Sequence, residues 1–265
     1  MADPSAEHWY PTAAYLYTLH LDGPALGWEY LRRHPDFRRD WLRRRRRPET
    51  AARWGLRLLE DPALDARDAH PAWFPDHDAV VQLYPDADPP PDAVAFAFWR
   101  LPGQKHLIHD GRRLVLLTRW PGCCLRLVIA PGLADGMAYA YAIRACAASC
   151  GRYQALAAEL DKLAAAGDAA PAGTARSRPA PAALLELNTL QALDGTLAGA
   201  SLRDVAEGLF GVDAVADDWY ADSALRARVR RLVRRGDALM RGGYRRLAQL
   251  PPLREGRSAS PAKRP

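Results

Sequence analysis

The stretch SALRARVRRLVRRGDALMRGGYRRL, residues 223–247, carries nine arginines and a single acid, Asp237. Its apolar residues recur at the spacing of one helix face, and Ser223 stands where an N-cap belongs, so the stretch predicts a long amphipathic helix. The residues just before it, 181–222, carry eight acids and only one base, Arg203. The pattern therefore predicts a folded unit with an acidic half and a basic half.

The arginines of this helix flank its apolar face on both sides. A helix that is merely solvated normally mixes Glu with Arg, so a nearly acid-free face favours contact with the phosphates of DNA. The alternative is a solvated face in a chain that is rich in arginine throughout. One flank consists of Arg226, Arg230 and Arg234. The other consists of Arg228, Arg231 and Arg235. The residues expected to bind DNA are these six arginines, Arg245 and Arg246 after them, and Ser201 and Arg203 in the preceding helix.

Two shorter helices are predicted in front of the arginine helix. Ala182–Leu197 has leucines spaced for one face. Ser201 and Asp204 then form a capping-box-like pair at the start of the next helix, which ends at Gly211. This order is typical of helix-turn-helix domains, but the interval from Gly211 to Ser223 is far longer than their usual turn. Phosphate contact by the arginine helix is therefore expected ahead of base readout.

The whole chain predicts the α+β class, with a helical N-terminus, a small antiparallel sheet with helices, and an all-α helix-turn-helix-like C-terminal domain. Short runs rich in Val, Leu and aromatic residues follow residue 79, and Asp110-Gly111 between two of them is a strong hairpin signal. A helix is expected from Ala134 to Ala166. The predicted divisions are helical residues 1–50, an α+β body at 51–167, a flexible linker at 168–182, a DNA-binding domain at 183–250 and a disordered tail at 251–265.

Composition and motifs argue against several classes of protein. No run of about 18 uncharged apolar residues exists, so no membrane span is expected. The chain lacks a P-loop, a Gly-x-Ser-x-Gly and a Gly-x-Gly-x-x-Gly motif, and His70 and His77 lack a metal-ligand spacing. We therefore expect no enzyme, no cofactor and no metal site. The four cysteines form no Cys-x-x-Cys pair and are expected to be reduced thiols of a cytoplasmic protein.

A second basic cluster lies near the N-terminus. Residues 32–47 hold nine arginines against Asp36 and Asp40, and the run Arg43–Arg47 is uninterrupted. The sequence leaves open whether this run contacts nucleic acid, acts as a localisation-type patch or is simply solvated. The acidic residues at 181–222 also have two interpretations, repulsion of phosphate on the wrong side of the domain or contact with a basic protein.

The elements GASLRDVAEGLFG, VADDW and SALRARVRRLVRRGDALMRGGYRRL, in this order, resemble the RovC-like DNA-binding domain. Near the N-terminus, WYPTAAYLYTL and GWEYLRRHPDFRRDW resemble the transcriptional-regulator-like domain that often precedes it. The resemblance implies a transcriptional activator of secretion genes or of integrative conjugative elements, with double-stranded DNA as its partner. Some relatives act instead as antiactivators, which bind another regulator without contacting DNA. RNA polymerase, a regulatory protein and a second copy of the chain are left open as further partners.

Overall fold

The computed structural model describes residues 9–44, 48–74, 80–109, 113–120, 123–142 and 179–250, together with positions 157 and 160. Helices at both ends of this described chain and a five-stranded sheet between them confirm the α+β class. Most of the predicted linker, the predicted tail and Asp110-Gly111 lie outside the described residues, and the predictions made for them stay predictions.

The N-terminal segment, which we define as residues 9–44 and 48–74, is built from short helices. Its elements are the 3₁₀ helix Thr12–His20, α1 Gly23–Leu31, α2 Pro35–Leu42 and the 3₁₀ helix Pro48–Trp54. Asp22 caps α1 because its carboxylate accepts a hydrogen bond from the backbone N of Ala25 at 2.9 Å. His34 caps α2 in the same way, with Nδ1 accepting from the backbone N of Asp36 at 3.1 Å.

Five strands follow: β1 Val81–Pro85, β2 Gln104–His109, β3 Leu114–Trp120, β4 Cys123–Ile129 and β5 Tyr139–Ala142. They form one sheet in the order β2-β3-β4-β1-β5. The sheet is mixed rather than purely antiparallel, because β1 runs parallel to β4, with Val81 opposite Leu127. A parallel pair needs a crossover, so local hairpin signals could not reveal it.

β5 occupies part of the stretch where the sequence favoured a helix. Residues 139–142 pair antiparallel with β1, and the ring of Tyr139 lies 6.0 Å from that of Phe96 in the core of the sheet. The helix prediction from Ala134 to Ala166 is therefore wrong at 134–142: residues 139–142 form an edge strand of the sheet, and the residues before them form a turn and an isolated bridge. Ala157 and Leu160 are helical, as expected.

The C-terminal domain, which we define as residues 179–250, is entirely helical. Its elements are α3 Pro181–Leu197, α4 Leu202–Phe210, α5 Val212–Asp218, α6 Ala224–Ala238, a π-helical turn at Leu239–Gly243, and α7 Tyr244–Leu247. The capping box at the start of α4 is present: Ser201 Oγ accepts from the Asp204 backbone N, and Asp204 Oδ2 accepts from the Ser201 backbone N. Gly211, with φ of 91°, ends α4 and lets α5 begin at once.

The N-terminal segment and the C-terminal domain share one hydrophobic core. The backbones of the two parts approach so closely that a Cβ at Gly23 would lie 2.6 Å from the carbonyl oxygen of Leu247. The N-terminal segment contributes buried Trp28, Tyr30, Leu31, Phe37 and Trp54, and the C-terminal domain contributes buried Leu187, Leu190, Leu193, Leu239, Met240 and Tyr244.

The sheet has its own apolar core and contacts the N-terminal segment through an ion pair. The core consists chiefly of buried aliphatic residues from β1, β3 and β4. On β4, the guanidinium of Arg126 binds the carboxylate of Asp22 with N–O distances of 2.7 and 3.0 Å. Among the described residues, no helix is both long and apolar enough to cross a bilayer.

Candidate nucleic-acid interface

α6 is held in place along its apolar side. Ser223 caps it, with Oγ accepting from the backbone N of Arg226 at 3.1 Å. Val229 and Leu232 are buried in a cluster with residues of α3 and α4. Gly236 allows the closest approach, because a Cβ there would lie 2.9 Å from Cβ of Leu193 on α3. The helix therefore presents its remaining side from a fixed position.

The side chains on the outer side of α6 are arginines. Arg228, Arg230, Arg231 and Arg234 are all exposed. The guanidinium of Arg228 lies 4.7 Å from the ring centroid of Phe210, a cation–π contact that orients it. Within the described residues, Arg230, Arg231 and Arg234 form no ion pair and no hydrogen bond through their side chains. These three cations are available to an external anion.

Arg226 and Arg235, at the two ends of the arginine flanks, are less available to an external anion. Arg226 is half-buried, and its Nη1 donates to the backbone oxygen of Ala221 at 3.5 Å. Arg235 is paired with Glu186 of α3. The same carboxylate accepts a hydrogen bond of 2.6 Å from Tyr30 OH, and burial together with the charge of Glu186 raises the pKa of that tyrosine well above its ordinary value. Arg235 therefore belongs to an internal network.

A groove separates α6 from the first half of α3. Its volume is about 510 Å³, and the flank of Arg228, Arg231 and Arg235 faces it. The opposite wall is apolar, with Leu184 and Leu185 each about two-fifths exposed. The flank of Arg226, Arg230 and Arg234 takes no part in lining this groove. The two arginine flanks inferred from helical spacing are thus distinct surfaces.

The other predicted site residues lie in three different environments. Arg245 is buried beside Gly55 and Leu250, so we leave it out of the interface, whereas Arg246 is exposed. Ser201 is engaged in the capping box of α4. Arg203 is exposed and forms an ion pair of 3.1 Å with Glu207, one turn further along α4.

Two of the acids that gave residues 181–222 their negative charge are buried. Asp194 is bound by both arms of Arg33, with Nε–Oδ1 at 2.6 Å and Nη2–Oδ2 at 2.7 Å, and it also accepts from Tyr15 OH at 2.8 Å. Glu186 is neutralised by Arg235. The acids left exposed and unpaired among the described residues are Asp213, Asp217, Asp218 and Asp222, in α5 and the turn after it.

Glu29 extends this buried network within the N-terminal segment. Its carboxylate binds Arg32 at 2.7 Å and Arg33 at 2.6 Å, and accepts from the backbone N of Ala66 at 2.6 Å. Burial acts to raise the pKa of Glu29, but the two guanidinium groups outweigh it and hold this pKa below the ordinary value of 4.5.

The network makes stability depend on acid. Because the pKa of Glu29 is lower in the folded chain than in the unfolded one, its contribution is complete above about pH 4.5 and is lost as the pH falls through the folded value. We expect melting temperatures that decline below this pH, and a Glu29→Gln variant that melts lower at pH 7 but declines less steeply. Thermal melts from pH 7 to pH 3 followed by circular dichroism test this, and parallel curves for the two proteins would contradict it.

No metal centre is visible in the described part of the chain, where no group of three or more His, Cys, Asp or Glu residues comes together. His70 stacks on His106, with ring centroids 3.2 Å apart, and His77 lies outside the described residues.

Comparison with protein families indicates the class of DNA-binding transcriptional regulators. Residues 133–249 match the family described as "T6SS, Transcription factor, DNA binding domain", and residues 8–58 match the "Proteobacterial transcriptional regulator-like domain". These are the two domains that the sequence resembles, in the predicted order, and the resemblance is confirmed. Residues 78–125 match a domain of unknown function. No curated protein matches the chain.

Proposed function

We propose that the chain is a non-catalytic, cytoplasmic regulator that binds double-stranded DNA through the arginine face of α6. The observation that carries this proposal is the set of three exposed and unpaired arginines, Arg230, Arg231 and Arg234, on a helix anchored by its opposite side. Arginine forks match phosphate oxygens in a bidentate way, and a fixed helix loses little freedom when it binds. Arg228 and Arg246 are exposed as well and are proposed as further phosphate contacts.

The arrangement of α5 and α6 supports a helix-turn-helix-like mode of binding. α5 fills most of the long interval that the sequence left between Gly211 and Ser223. Only residues 219–223 then separate α5 from α6, which is close to the turn length of helix-turn-helix motifs. On this proposal α6 is the helix that approaches the groove of the duplex.

The match to a T6SS transcription-factor domain supports target genes of a secretion system. We propose these, or genes of a mobile element, as the targets, with activation as the effect on transcription. The family matches also support a role without catalysis. RNA polymerase and other regulators are the proteins that an activator of this kind would contact, and the sheet offers surface for them outside the arginine face.

The salt dependence of DNA affinity tests the arginine face. If these five exposed arginines meet phosphates, log affinity should fall with log salt at a slope of about −4.5. Arg230→Ala with Arg234→Ala should flatten that slope by about 1 to 2, because each lost phosphate contact removes about 0.9. Fluorescence anisotropy of the full chain with labelled duplex, from 50 to 300 mM salt, measures both. Arg67→Ala with Arg100→Ala, two exposed arginines outside α6, is the matched control.

An unchanged slope in the Arg230/Arg234 variant would remove these two residues from the interface. An equal loss in the control would mean that overall charge, not the face of α6, decides the affinity. Comparison of the gene's own upstream DNA with a scrambled duplex adds a second result. A preference of tenfold or more supports a specific regulator, and equal binding supports phosphate contact alone.

A protein-binding antiactivator is the second candidate function. The exposed acids of α5 and the apolar wall formed by Leu184 and Leu185 favour it, because neither suits a DNA phosphate. This candidate predicts no duplex binding by the full chain at 150 mM salt. It also predicts capture of another transcriptional regulator, which Asp213→Lys with Asp217→Lys would abolish.

A further inference from the structure

Arg53, which follows the N-terminal arginine run, and Arg241, near the end of the C-terminal arginine stretch, are 188 residues apart in the sequence but approach each other in the fold. The π-helical turn after α6 buries Leu239 and Met240 in the core that contains Trp54. Tyr244 OH then donates to the backbone oxygen of Trp54 at 3.1 Å. Arg241, three residues before Tyr244, and Arg53, next to Trp54, therefore lie on either side of one contact between the C-terminal domain and the N-terminal segment.

Both arginines point into solvent near His34. Each side chain is 62% exposed, and the ring of His34 lies 4.9 Å from that of Trp54. Burial is the main cause that lowers the pKa of His34, and the positive charges of Arg241 and Arg53 both add to it. Both guanidinium groups lower the pKa of the His34 imidazole, so both lie near it. This agrees with the positions that the Tyr244–Trp54 hydrogen bond gives to Arg241 and Arg53.

Arg241 also continues the flank of Arg226, Arg230 and Arg234. Fifteen residues separate Arg226 from Arg241, which is close to four helical turns, so both lie towards the same side. At about 1.5 Å per residue this flank is about 22 Å long, whereas one turn of B-DNA spans about 34 Å. A duplex that follows the flank for one turn would extend beyond Arg241.

The acidic residues beside Arg241 and Arg53 do not prevent these arginines from binding a phosphate. Arg241 is paired with Asp237 at 2.8 Å, and Arg53 with Asp40 at 3.5 Å. Both arginines are largely exposed, and exposed ion pairs of this kind are weak in water. Asp40 Oδ2 also accepts from Trp54 Nε1 at 2.9 Å, a closer contact than its 3.5 Å separation from Arg53 Nη1. A phosphate can therefore compete for Arg53.

We propose that one DNA duplex contacts α6 and the N-terminal segment together, along a continuous surface that runs from Arg230 and Arg234 through Arg241 to Arg53. This inference rests on DNA binding by α6 and adds a second contact region from a different domain. The buried pairing of Arg33 with Asp194 holds the two parts in a fixed relation, so the surface exists before DNA arrives.

A charge reversal at Arg53, with a matched control, tests the proposal in the full chain. Arg53→Glu should weaken binding to a 24-base-pair duplex at least tenfold at 100 mM salt, because it removes a phosphate contact and adds repulsion. Arg53→Gln should lower the salt slope by about 1. The control is Arg67→Glu: Arg67 has the same 62% exposure and one carboxylate partner, Asp65. It should change affinity less than twofold.

Arg67 is suitable because it lies at the other end of the aromatic row of the N-terminal segment. The rings of Trp54, Phe37 and Trp28 follow one another at 5.6 Å, and Trp28 Nε1 donates to the backbone oxygen of Leu64, close to Arg67. Thermal melts within 2 °C of each other would show that the variants are equally folded.

The length of the duplex separates this inference from the proposed function. On a hairpin with a 6-base-pair stem, which at about 3.4 Å per base pair is about 20 Å long and spans the flank of α6 alone, Arg53→Glu should bind like the unaltered chain. Equal affinities of Arg53→Glu and Arg67→Glu on the longer duplex would overturn the second contact region while leaving binding by α6 intact. Failure of the unaltered chain to bind either duplex would overturn both.

Discussion

Residues 179–250 expressed alone should not fold into a cooperative domain. By its sequence alone, this region has helices, N-caps and a helix-ending glycine of its own, which are typical of a domain that folds independently. The structure buries Leu187, Leu190 and Leu193 of α3 in a core that is shared with the N-terminal segment, and α3 lies against the 3₁₀ helix Thr12–His20. Without the N-terminal segment these leucines face water.

The size of the effect follows from the number of uncovered groups. Exposure of one buried Leu or Met loses about 1.5 to 3 kcal/mol, and a whole domain is stable by only about 5 to 15 kcal/mol. The three leucines of α3, Met240 and Tyr244 all belong to the shared core. Asp194 and Glu186 would also lose Arg33 and Tyr30, their partners in the N-terminal segment. The expected fragment is helical in part, with a broad thermal transition.

Circular dichroism and one-dimensional NMR of the fragment measure this, and complementation supplies the control. Residues 1–142 mixed with residues 179–250 should recover a sharp transition and slow amide exchange in α3. A sharp transition and dispersed amide signals from residues 179–250 alone would contradict the prediction, because the shared core would then be dispensable for the C-terminal domain.

Arg33→Met should be the most destabilising single substitution in the buried network. Removal of one partner from a buried ion pair leaves an uncompensated charge and loses about 3 to 5 kcal/mol. Arg33 is almost fully buried, and its loss would strip a partner from both Asp194 and Glu29. Urea denaturation of the full chain, followed by tryptophan fluorescence, measures the free energy of unfolding.

Two variants show whether charge burial is the cause. Arg39→Met removes an arginine of the same segment whose side chain is 57% exposed and paired with Asp36, so a loss under 1 kcal/mol is expected. Arg33→Met combined with Asp194→Leu should recover part of the stability, because no charge then stays unpaired at α3. A loss under 1 kcal/mol for Arg33→Met itself would show that the pair with Asp194 is hydrated in solution.

The sequence predicted the local features of the candidate interface well. The cap at Ser223, the capping box at Ser201 and Asp204, and the separation of the arginines into two flanks all follow from spacing within one helix. α5 was missed because it is only seven residues long, and five of these are Asp or Ala. Its signal was Val215, which is buried against neighbouring helices, preceded by the helix-ending Gly211.

The long-range features could not be inferred from local patterns. Count alone gave residues 181–222 a strongly negative charge, yet Asp194 meets Arg33 only because α3 folds onto α1. Arg245 looked like a phosphate ligand for the same reason, since nothing near it in sequence shows that Gly55 and Leu250 cover it. A contact between residues that lie 100 or more positions apart does not change the spacing of apolar or charged residues around either partner. The local sequence pattern therefore does not reveal it.

The shared core also determines when the protein can fold during synthesis. Residues 75–180 lie between its two halves, so the ribosome completes Trp28 and Phe37 long before it adds the leucines of α3 that cover them. Since transiently exposed apolar surface favours aggregation, we expect the nascent chain to be prone to aggregation throughout this interval. Ribosomal stalling or premature termination before α3 would yield a chain that cannot fold.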